Sequence, residues 1–305
     1  MNRSIRQFAI IGPTASGKSN LAIKIAKKIN AHILSLDSLS LYKEIDIVSA
    51  KPTLSERDGI IHYGIDQLRP DEPFNVTIFE KLYRKAYLQA AEEGKNLIIV
   101  GGTSFYLKVL IDGISSLPAL NESTMQKVKK SMADRDAAYQ MLYELDPPYM
   151  QSIAPNDSYR VEKALEIYYA SGELPSHYFR DNPPLPAISE HIPLYHILTE
   201  RAPLRSRIAE RTTRMLQSGL IDEVAYLEQK YTRSPNCMKA IGIKETLNYL
   251  DGVYDKQKME EKIIINTARL AKRQVTFNKS QFESLISSDI ENLEKRIMGD
   301  LQREQ

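Results

Sequence analysis

One stretch of the sequence, Gly12–Ser19, has the residue types and spacing needed to bind phosphate. It reads GPTASGKS and matches the pattern G-x-x-x-x-G-K-[ST]. In such a loop, successive backbone N–H groups turn toward one point, the lysine supplies a mobile positive charge, and the serine hydroxyl can ligate Mg²⁺. The residues predicted to bind phosphate are Gly12, Pro13, Thr14, Ala15, Ser16, Gly17, Lys18 and Ser19. We therefore expect a di- or triphosphate here, with Mg²⁺ at Ser19.

The segments on either side of this loop support the same prediction. Phe8–Ile11 is a short apolar run of the kind found in buried strands, and Leu21–Ala26 carries apolar residues at helical spacing. Strand, glycine loop and helix in that order place the loop amides at the positive end of a helix dipole. The pattern predicts an α/β core with a parallel sheet.

Two more predicted strands end in polar residues. Ala31–Leu36 is followed by Asp37, and the apolar run that starts at Asn96 breaks into Gly101-Gly102 and then Thr103. Ligands of open α/β sheets bind at the carboxyl ends of the strands, so both side chains are candidates for the phosphate crevice. Each could instead cap a following helix, and for Thr103 the two roles are compatible.

The middle of the chain differs from its two ends. Residues 112–184 show helical segments separated by prolines and glycine, without a convincing buried strand, whereas Tyr195–Leu198 reads as a returning strand. The sequence therefore predicts a core of residues 1–111 and 185–305, interrupted by a helical insertion at 112–184. The region after the returning strand is predicted to be helical, ending in a charged helix or frayed tail at 291–305.

Basic residues cluster on the predicted C-terminal helices. Arg207, Arg211 and Arg214 share one face of a helix over Arg201–Gln217. Such a row is often a solvated face, but the nearby phosphate loop favours a function for at least one arginine. A basic turn at Lys239–Lys244 and a helix carrying Arg269, Lys272 and Arg273 beside Phe277 suit a surface for phosphates and bases.

Composition narrows the range of functions. The chain has 305 residues and a formal net charge of +2, so any nucleic-acid surface must be local. Its single cysteine, Cys237, excludes internal disulfides and cysteine metal clusters and fits a cytoplasmic protein. The five histidines are scattered, which disfavours a zinc site. No apolar run approaches the length of a membrane span.

Together these features resemble the tRNA dimethylallyltransferases, also called tRNA isopentenyltransferases, over almost the whole chain. The first matching block, the phosphate loop, is shared with many kinases, whereas the other blocks in this order are far more specific. The further blocks are DSLSLY at 37–42, DIVSAKP at 46–52, GGTSFYLK at 101–108, PNDSYRVEKALEI at 155–167, RSRIAER at 205–211, AIGIKET at 240–246 and AKRQVTF at 271–277.

The resemblance implies a P-loop NTPase-like core with an inserted helical subdomain that clamps tRNA. It implies transfer of a dimethylallyl group from dimethylallyl diphosphate to N6 of the adenosine at position 37, next to the anticodon of tRNA. Lys18, Arg207 and Mg²⁺ would take the charge of the leaving diphosphate, Asp37 would orient the amine and accept its proton, and Thr103 would contact the leaving group or the base. A monomer is expected.

The resemblance also implies a set of tRNA-binding residues. They are Asp37, Ser38, Leu39, Ser40, Tyr159, Arg160, Val161, Glu162, Lys163, Lys239, Lys244, Arg269 and Arg273. This chain departs from the family pattern at Ser40, at Val48-Ser49, at Tyr63 and at Phe277-Asn278-Lys279. It has no zinc finger of the eukaryotic kind, so a bacterial-type enzyme is implied.

Three other functions remain open from the residues. A small-molecule P-loop kinase would use the same loop for ATP and would phosphorylate an acceptor. A prenyltransferase acting on free AMP or ATP would share the loop and Asp37, with less need for an insertion and a basic C-terminal helix. An RNA-binding protein without activity would leave Asp37 and the Gly-Gly-Thr turn without a purpose.

Overall fold

The computed structural model describes residues 5–303 and divides the chain into two units. The first comprises residues 1–109 and 187–305, and the second comprises residues 110–186. The sequence had placed these boundaries two residues away, at 111 and 185. Helix α4 (Ser104–Asp112) contains the first boundary.

The first unit contains a six-stranded parallel sheet in the order β3-β2-β4-β1-β5-β6. The strands are β1 (Gln7–Ile11), β2 (Ala31–Ser35), β3 (His62–Tyr63), β4 (Asn96–Gly101), β5 (Leu194–Ile197) and β6 (Leu285–Ser288). In β4, the residues from Leu97 to Gly101 are all buried, which is typical of a parallel strand covered on both faces. The α/β fold with a parallel sheet is confirmed.

The sequence analysis did not predict two of the six strands. β3 has only two residues, and β6 lies at the edge of the sheet with no fully buried residue, so neither shows a clear apolar run. The prediction of an entirely helical C-terminal region was therefore wrong at Leu285–Ser288. This strand pairs with β5 in parallel, with Leu194 opposite Leu285.

The remaining elements of the first unit are helices. They are α1 (Lys18–Ile29), α2 (Leu54–Arg57), α3 (Val76–Glu92), α10 (Arg201–Gln217), α11 (Leu220–Tyr231), a 3₁₀ turn (Asn236–Lys239), α12 (Ile243–Leu250), α13 (Lys256–Gln281) and α14 (Ile290–Arg303). The helix predicted over Arg201–Gln217 is confirmed with these bounds.

One face of the sheet packs against both α1 and α14. Phe8, Ile10 and Tyr195 of the strands share a core cluster with Leu293 and Ile297 of α14. Both α14 residues are completely buried. Of the two alternatives predicted for this end of the chain, a charged helix or a frayed tail, the structure has the helix, and it is amphipathic because its apolar residues recur every four positions on one side.

The second unit is helical. It contains α5 (Glu122–Met132), α6 (Arg135–Leu145), α7 (Pro147–Met150), α8 (Ser158–Ser171) and α9 (Pro175–Asp181). Leu142, Met150 and Leu165 form the centre of its own hydrophobic core. Among residues 5–303, no helix is both long and apolar enough to cross a membrane.

Candidate active site

Four neighbouring strands end at one edge of the sheet, and a predicted functional residue follows each of them. The phosphate loop follows β1, Asp37 comes two residues after β2, and Thr103 comes two residues after β4. Helix α10, which carries Arg207, follows β5. Because these strands are adjacent in the order β2-β4-β1-β5, the elements that carry the predicted catalytic residues meet at one edge of the sheet, where open α/β sheets bind their ligands.

The phosphate loop is packed tightly against the end of β5. A β-carbon placed on Gly12 would lie 3.2 Å from Cβ of Ile197 and 3.2 Å from Oγ of Ser16. Ala15 and Gly17 have φ values of 60° and 89°, and the positive φ of Gly17 comes directly before α1. Alternating backbone conformations of this kind turn loop amides inward, as an anion-binding nest requires.

Lys18 begins α1, and its side chain returns along the loop. Its Nζ donates a hydrogen bond to the carbonyl oxygen of Pro13 at 3.1 Å. The pKa of Lys18 is lowered to about 8, mainly by burial; the negative charge of Asp37 partly offsets this effect, and the positive charge of Arg211 adds to it. Lys18 is therefore mostly protonated at neutral pH, and three charged groups share the crevice.

Asp37 organises the turn that follows it. Its Oδ1 accepts hydrogen bonds from the backbone N–H groups of Leu39 at 2.8 Å and Ser40 at 3.0 Å. The alternative role as a helix cap is thus replaced by an Asx-type turn, because residues 38–41 do not form a helix. Within residues 5–303, Oδ2 has no hydrogen-bond partner and remains available for a ligand.

Thr103 is held next to the same turn through its backbone. Its N–H donates to the carbonyl oxygen of Leu36 at 3.1 Å. A β-carbon on Gly101 would approach Cα and the carbonyl carbon of Leu36 to 2.8 Å, so only glycine allows this contact between the two strand ends. Thr103 also precedes α4 and accepts the N–H of Tyr106 through its carbonyl oxygen.

Two arginines of α10, Arg207 and Arg211, are partly buried. Arg207 has a buried Nε without a hydrogen-bond partner in the described residues, which suits a guanidinium that contacts a ligand. Burial lowers the pKa of Arg211, and the charge of Asp37 raises it. The sequence analysis assigned only Arg207 as catalytic, although the four-residue spacing of the arginine row already pointed to Arg211.

Helix α13 supplies a further residue that the sequence analysis missed. Gln274 accepts a hydrogen bond from the N–H of Thr14 at 2.8 Å through its Oε1. Ala15 of the loop also packs against a cluster formed by Leu204, Ile208 and Ala271 of α10 and α13. Both helices therefore support the phosphate loop directly.

The predicted basic surface of the first unit is exposed. Lys239, Lys244, Arg269 and Arg273 all reach solvent. Lys244 and Arg269 line a cavity of about 250 Å³ together with Lys262, which the sequence analysis did not single out. Three cationic side chains therefore line the same cavity.

The predicted RNA-binding residues of the second unit lie on α8. Tyr159 is 68% exposed, and the ammonium of Lys163 lies 5.7 Å from the centre of its ring. Lys163 also forms an ion pair with Glu166. Val161 is completely buried, so its predicted contact with tRNA is wrong for the side chain, which instead packs in the core of this unit. Arg160 and Glu162 are exposed.

Residues 40–281 match the model of the family described as IPP transferase. The match covers more than half of the chain. This chain belongs to the IPP transferase family.

Curated members of the family are similar over nearly their whole length. A protein named tRNA dimethylallyltransferase from Sulfurovum sp. (strain NBC37-1) is 56% identical over 298 residues, covering 98% of this chain and 99% of the relative. A protein of the same name from Sulfurimonas denitrificans is 53% identical, covering 97% of this chain and 99% of the relative. The chain is therefore a transferase.

Solved structures of the family share the fold. The tRNA delta(2)-isopentenylpyrophosphate transferase of Staphylococcus epidermidis has a TM-score of 0.70 at 30% identity, covering 99% of this chain and 100% of that one. A eukaryotic dimethylallyltransferase described as acting on tRNA has a TM-score of 0.82 at 28% identity, covering 94% of this chain and 74% of that one. These likenesses support the P-loop type of α/β fold predicted from the sequence.

The positions that depart from the family pattern range from buried to exposed. Ser40 and Tyr63 are buried, and the ring of Tyr63 lies edge-on to His32 at 5.8 Å. Val48 packs against the backbone of Gly242, where a β-carbon would lie 3.1 Å from its Cγ1. Phe277 is partly buried and contacts Phe282, whereas Lys279 is exposed.

Proposed function

We propose that this IPP transferase moves a dimethylallyl group from dimethylallyl diphosphate to N6 of the adenosine next to the anticodon of tRNA. The observation that supports the proposal is geometric: the phosphate loop follows β1, Thr103 follows β4 and Asp37 follows β2, and these three strands are neighbours in the sheet. An anion site next to a proton acceptor is what an alkyl transfer from a diphosphate to an amine requires.

The cationic side of the crevice serves the leaving group. The bond between the allylic carbon and the diphosphate oxygen breaks, and its electron pair stays on the diphosphate. The loop amides, Lys18, Arg207 and Arg211 neutralise this developing negative charge. Preorganised donors of this kind stabilise the transition state more than the ground state, which is how they increase the rate.

Asp37 is proposed to act on the acceptor, the N6 amine of the adenosine. The new bond joins the N6 nitrogen to the allylic carbon, and the nitrogen must lose one proton. Oδ1 of Asp37 is engaged by the amides of Leu39 and Ser40, so Oδ2 is the oxygen that accepts the amine proton. Thr103, whose backbone is bonded to Leu36 directly before Asp37, is proposed to contact the leaving group or the base.

The protein supplies too few donors at the phosphate loop to hold Mg²⁺ without a bound diphosphate. Ser19 offers a hydroxyl, a hard donor of the kind that Mg²⁺ accepts. Within residues 5–303, no three His, Cys, Asp or Glu side chains form a metal cluster. Ser19 would therefore hold an ion that is bound mainly by phosphate and water, and this ion would supply further neutralisation of the leaving group.

The exposed cations are proposed to bind the RNA. Lys239, Lys244, Arg269 and Arg273 in the first unit, and Arg160 and Lys163 in the second, would contact backbone phosphates, and Tyr159 offers a ring for stacking. The reactive base must leave its stack, at a cost of about a few kcal/mol, and these contacts offset that cost. The helical unit of residues 110–186 is proposed to act as the clamp.

Purified protein with Mg²⁺, radiolabelled dimethylallyl diphosphate and unmodified tRNA tests the proposal. We expect label to enter the tRNA and to be found on N6 of the adenosine beside the anticodon. A tRNA with guanosine at that position is the matched control and should stay unlabelled. Efficient prenylation of free AMP, or transfer of phosphate from ATP to a small acceptor, would contradict the proposal and support one of the alternatives.

A further inference from the structure

The side chain of Gln274 lies across the crevice between two loops. On one side, its Oε1 accepts the N–H of Thr14 at 2.8 Å. On the other side it rests on Gly102, where an added β-carbon would overlap Nε2 and lie 3.2 Å from Cδ. Gln274 therefore contacts both the phosphate loop and the Gly-Gly-Thr turn.

This contact determines which loop amides remain for a ligand. Within the described part of the chain, the N–H of Thr14 is bonded to Gln274 and that of Ser16 to the carbonyl oxygen of Pro13, at 3.2 Å. The N–H groups of Ala15, Gly17, Lys18 and Ser19 have no such backbone partner there. The remaining amides lie mainly at the start of α1, whereas Thr14 lies at the end of the loop farther from the helix.

We infer that Gln274 determines specificity by filling the outer end of the phosphate loop, so that the site accepts a diphosphate and disfavours a triphosphate. A carboxamide oxygen is an acceptor with partial negative charge, like a phosphate oxygen, and the two compete for the same N–H. A third phosphate would have to displace Gln274 or remain without this donor. The inference rests on the proposed function, because it presupposes that the loop binds a diphosphate.

Gln274 would protect the phosphate loop from one class of competing ligand. The GPTASGKS sequence matches a pattern that commonly binds nucleoside triphosphates, so these are natural competitors for the site. Discrimination against a competitor is gained when the competitor leaves a polar group without a partner or meets an occupied position. Gln274 provides the occupied position without adding a charge that would repel the diphosphate.

Calorimetric titration with inorganic pyrophosphate and with tripolyphosphate, each in the presence of Mg²⁺, tests the inference. The wild-type protein should prefer pyrophosphate. In Gln274→Ala, the affinity for tripolyphosphate relative to pyrophosphate should rise about tenfold, the effect expected when one N–H becomes available to a charged acceptor. Gln257→Ala is the matched control, because Gln257 is exposed on the same helix.

Gly102→Ala provides a second route to the same result while keeping the glutamine. The φ of Gly102 is outside the left-handed region, so alanine is compatible with the backbone, and its methyl group would push the carboxamide aside. This variant should shift the affinity ratio in the same direction. ATP should also inhibit prenyl transfer by both variants more strongly than by the wild type.

Two results would overturn the inference. If Gln274→Ala bound both anions more weakly by the same factor, Gln274 would only brace the loop. If Gln274→Ala bound both anions with the affinities of the wild type, the carboxamide would not compete with phosphate. Failure of the wild-type protein to bind pyrophosphate at all would instead contradict the proposed function, and the inference with it.

Discussion

Asp37 uses its two carboxylate oxygens for different purposes. Oδ1 fixes the turn at Leu39 and Ser40, while Oδ2 is left for the reacting amine. From the sequence, the position after a strand favoured a ligand-binding role and a capping role about equally. The two could not be separated there, because which oxygen binds the backbone depends on the three-dimensional course of the turn.

Asp37→Asn should separate these two roles. Asparagine retains an Oδ1 acceptor for the turn, so thermal stability and binding of pyrophosphate and tRNA should stay near normal. The rate of a single turnover should fall by about a hundredfold or more, since an amide cannot accept the amine proton. Asp37→Ala is the comparison, because it also loses the turn and should melt at a lower temperature. A near wild-type rate in Asp37→Asn would reduce Asp37 to a structural residue.

Lys18→Ala tests the leaving-group side of the site. The charge on the diphosphate is complete only when the bond breaks, so kcat should fall about a hundredfold or more while KM for dimethylallyl diphosphate changes less. Steady-state kinetics with saturating tRNA measures both. Lys24→Ala, an exposed position on the same helix, should leave both unchanged. A raised KM with unchanged kcat would mean that Lys18 binds substrate and transition state alike.

At the scale of elements, hydrogen bonds to helix α11 fix the loop that follows the Asp37 turn. Glu223 of α11 accepts the backbone N–H groups of Asp46 at 2.9 Å, Ile47 at 2.7 Å and Val48 at 2.9 Å. The sequence analysis gave no sign of this contact, because local patterns do not show which distant helix satisfies a loop. Helix periodicity and apolar runs did predict most of the strands and the bounds of α10.

Glu223→Ala should release this loop. Three amides lose a charged acceptor, so hydrogen exchange at Ile47 and Val48 should become faster, and the free energy of unfolding should fall by about 1–3 kcal/mol. Amide exchange followed by NMR and urea unfolding measure the two effects. Gln229→Ala on the exposed side of the same helix is the control. Unchanged exchange at Ile47 and Val48 would show that the loop is held by packing alone.

At the scale of the whole molecule, strand order creates the site. Asp37, Thr103, Arg207 and the phosphate loop are far apart in the sequence, and the parallel sheet places the elements that carry them side by side. The motifs and their strand ends could be predicted because each is a local pattern. Strand order, the edge strand β6 and the contact of Gln274 with Thr14 depend on tertiary pairing, which no local pattern specifies.

The small net charge of +2 makes RNA binding a local property of the surface. In the double variant Lys244→Ala/Arg269→Ala, tRNA affinity should fall, and the slope of log affinity against log salt should decrease by about two if each cation contacts one phosphate. Fluorescence anisotropy with labelled tRNA measures this slope. Pyrophosphate affinity should not change, and Lys295→Ala on α14 should match the wild type. An unchanged slope would remove these two residues from the RNA surface.

The most direct test of the central claim is nucleoside mass spectrometry of total tRNA from a strain that lacks this protein. We predict that N6-dimethylallyladenosine and the nucleosides derived from it disappear. Expression of the wild-type protein should restore them, and expression of Asp37→Asn to the same level should not. Unchanged amounts of N6-dimethylallyladenosine in the strain without the protein would contradict the account.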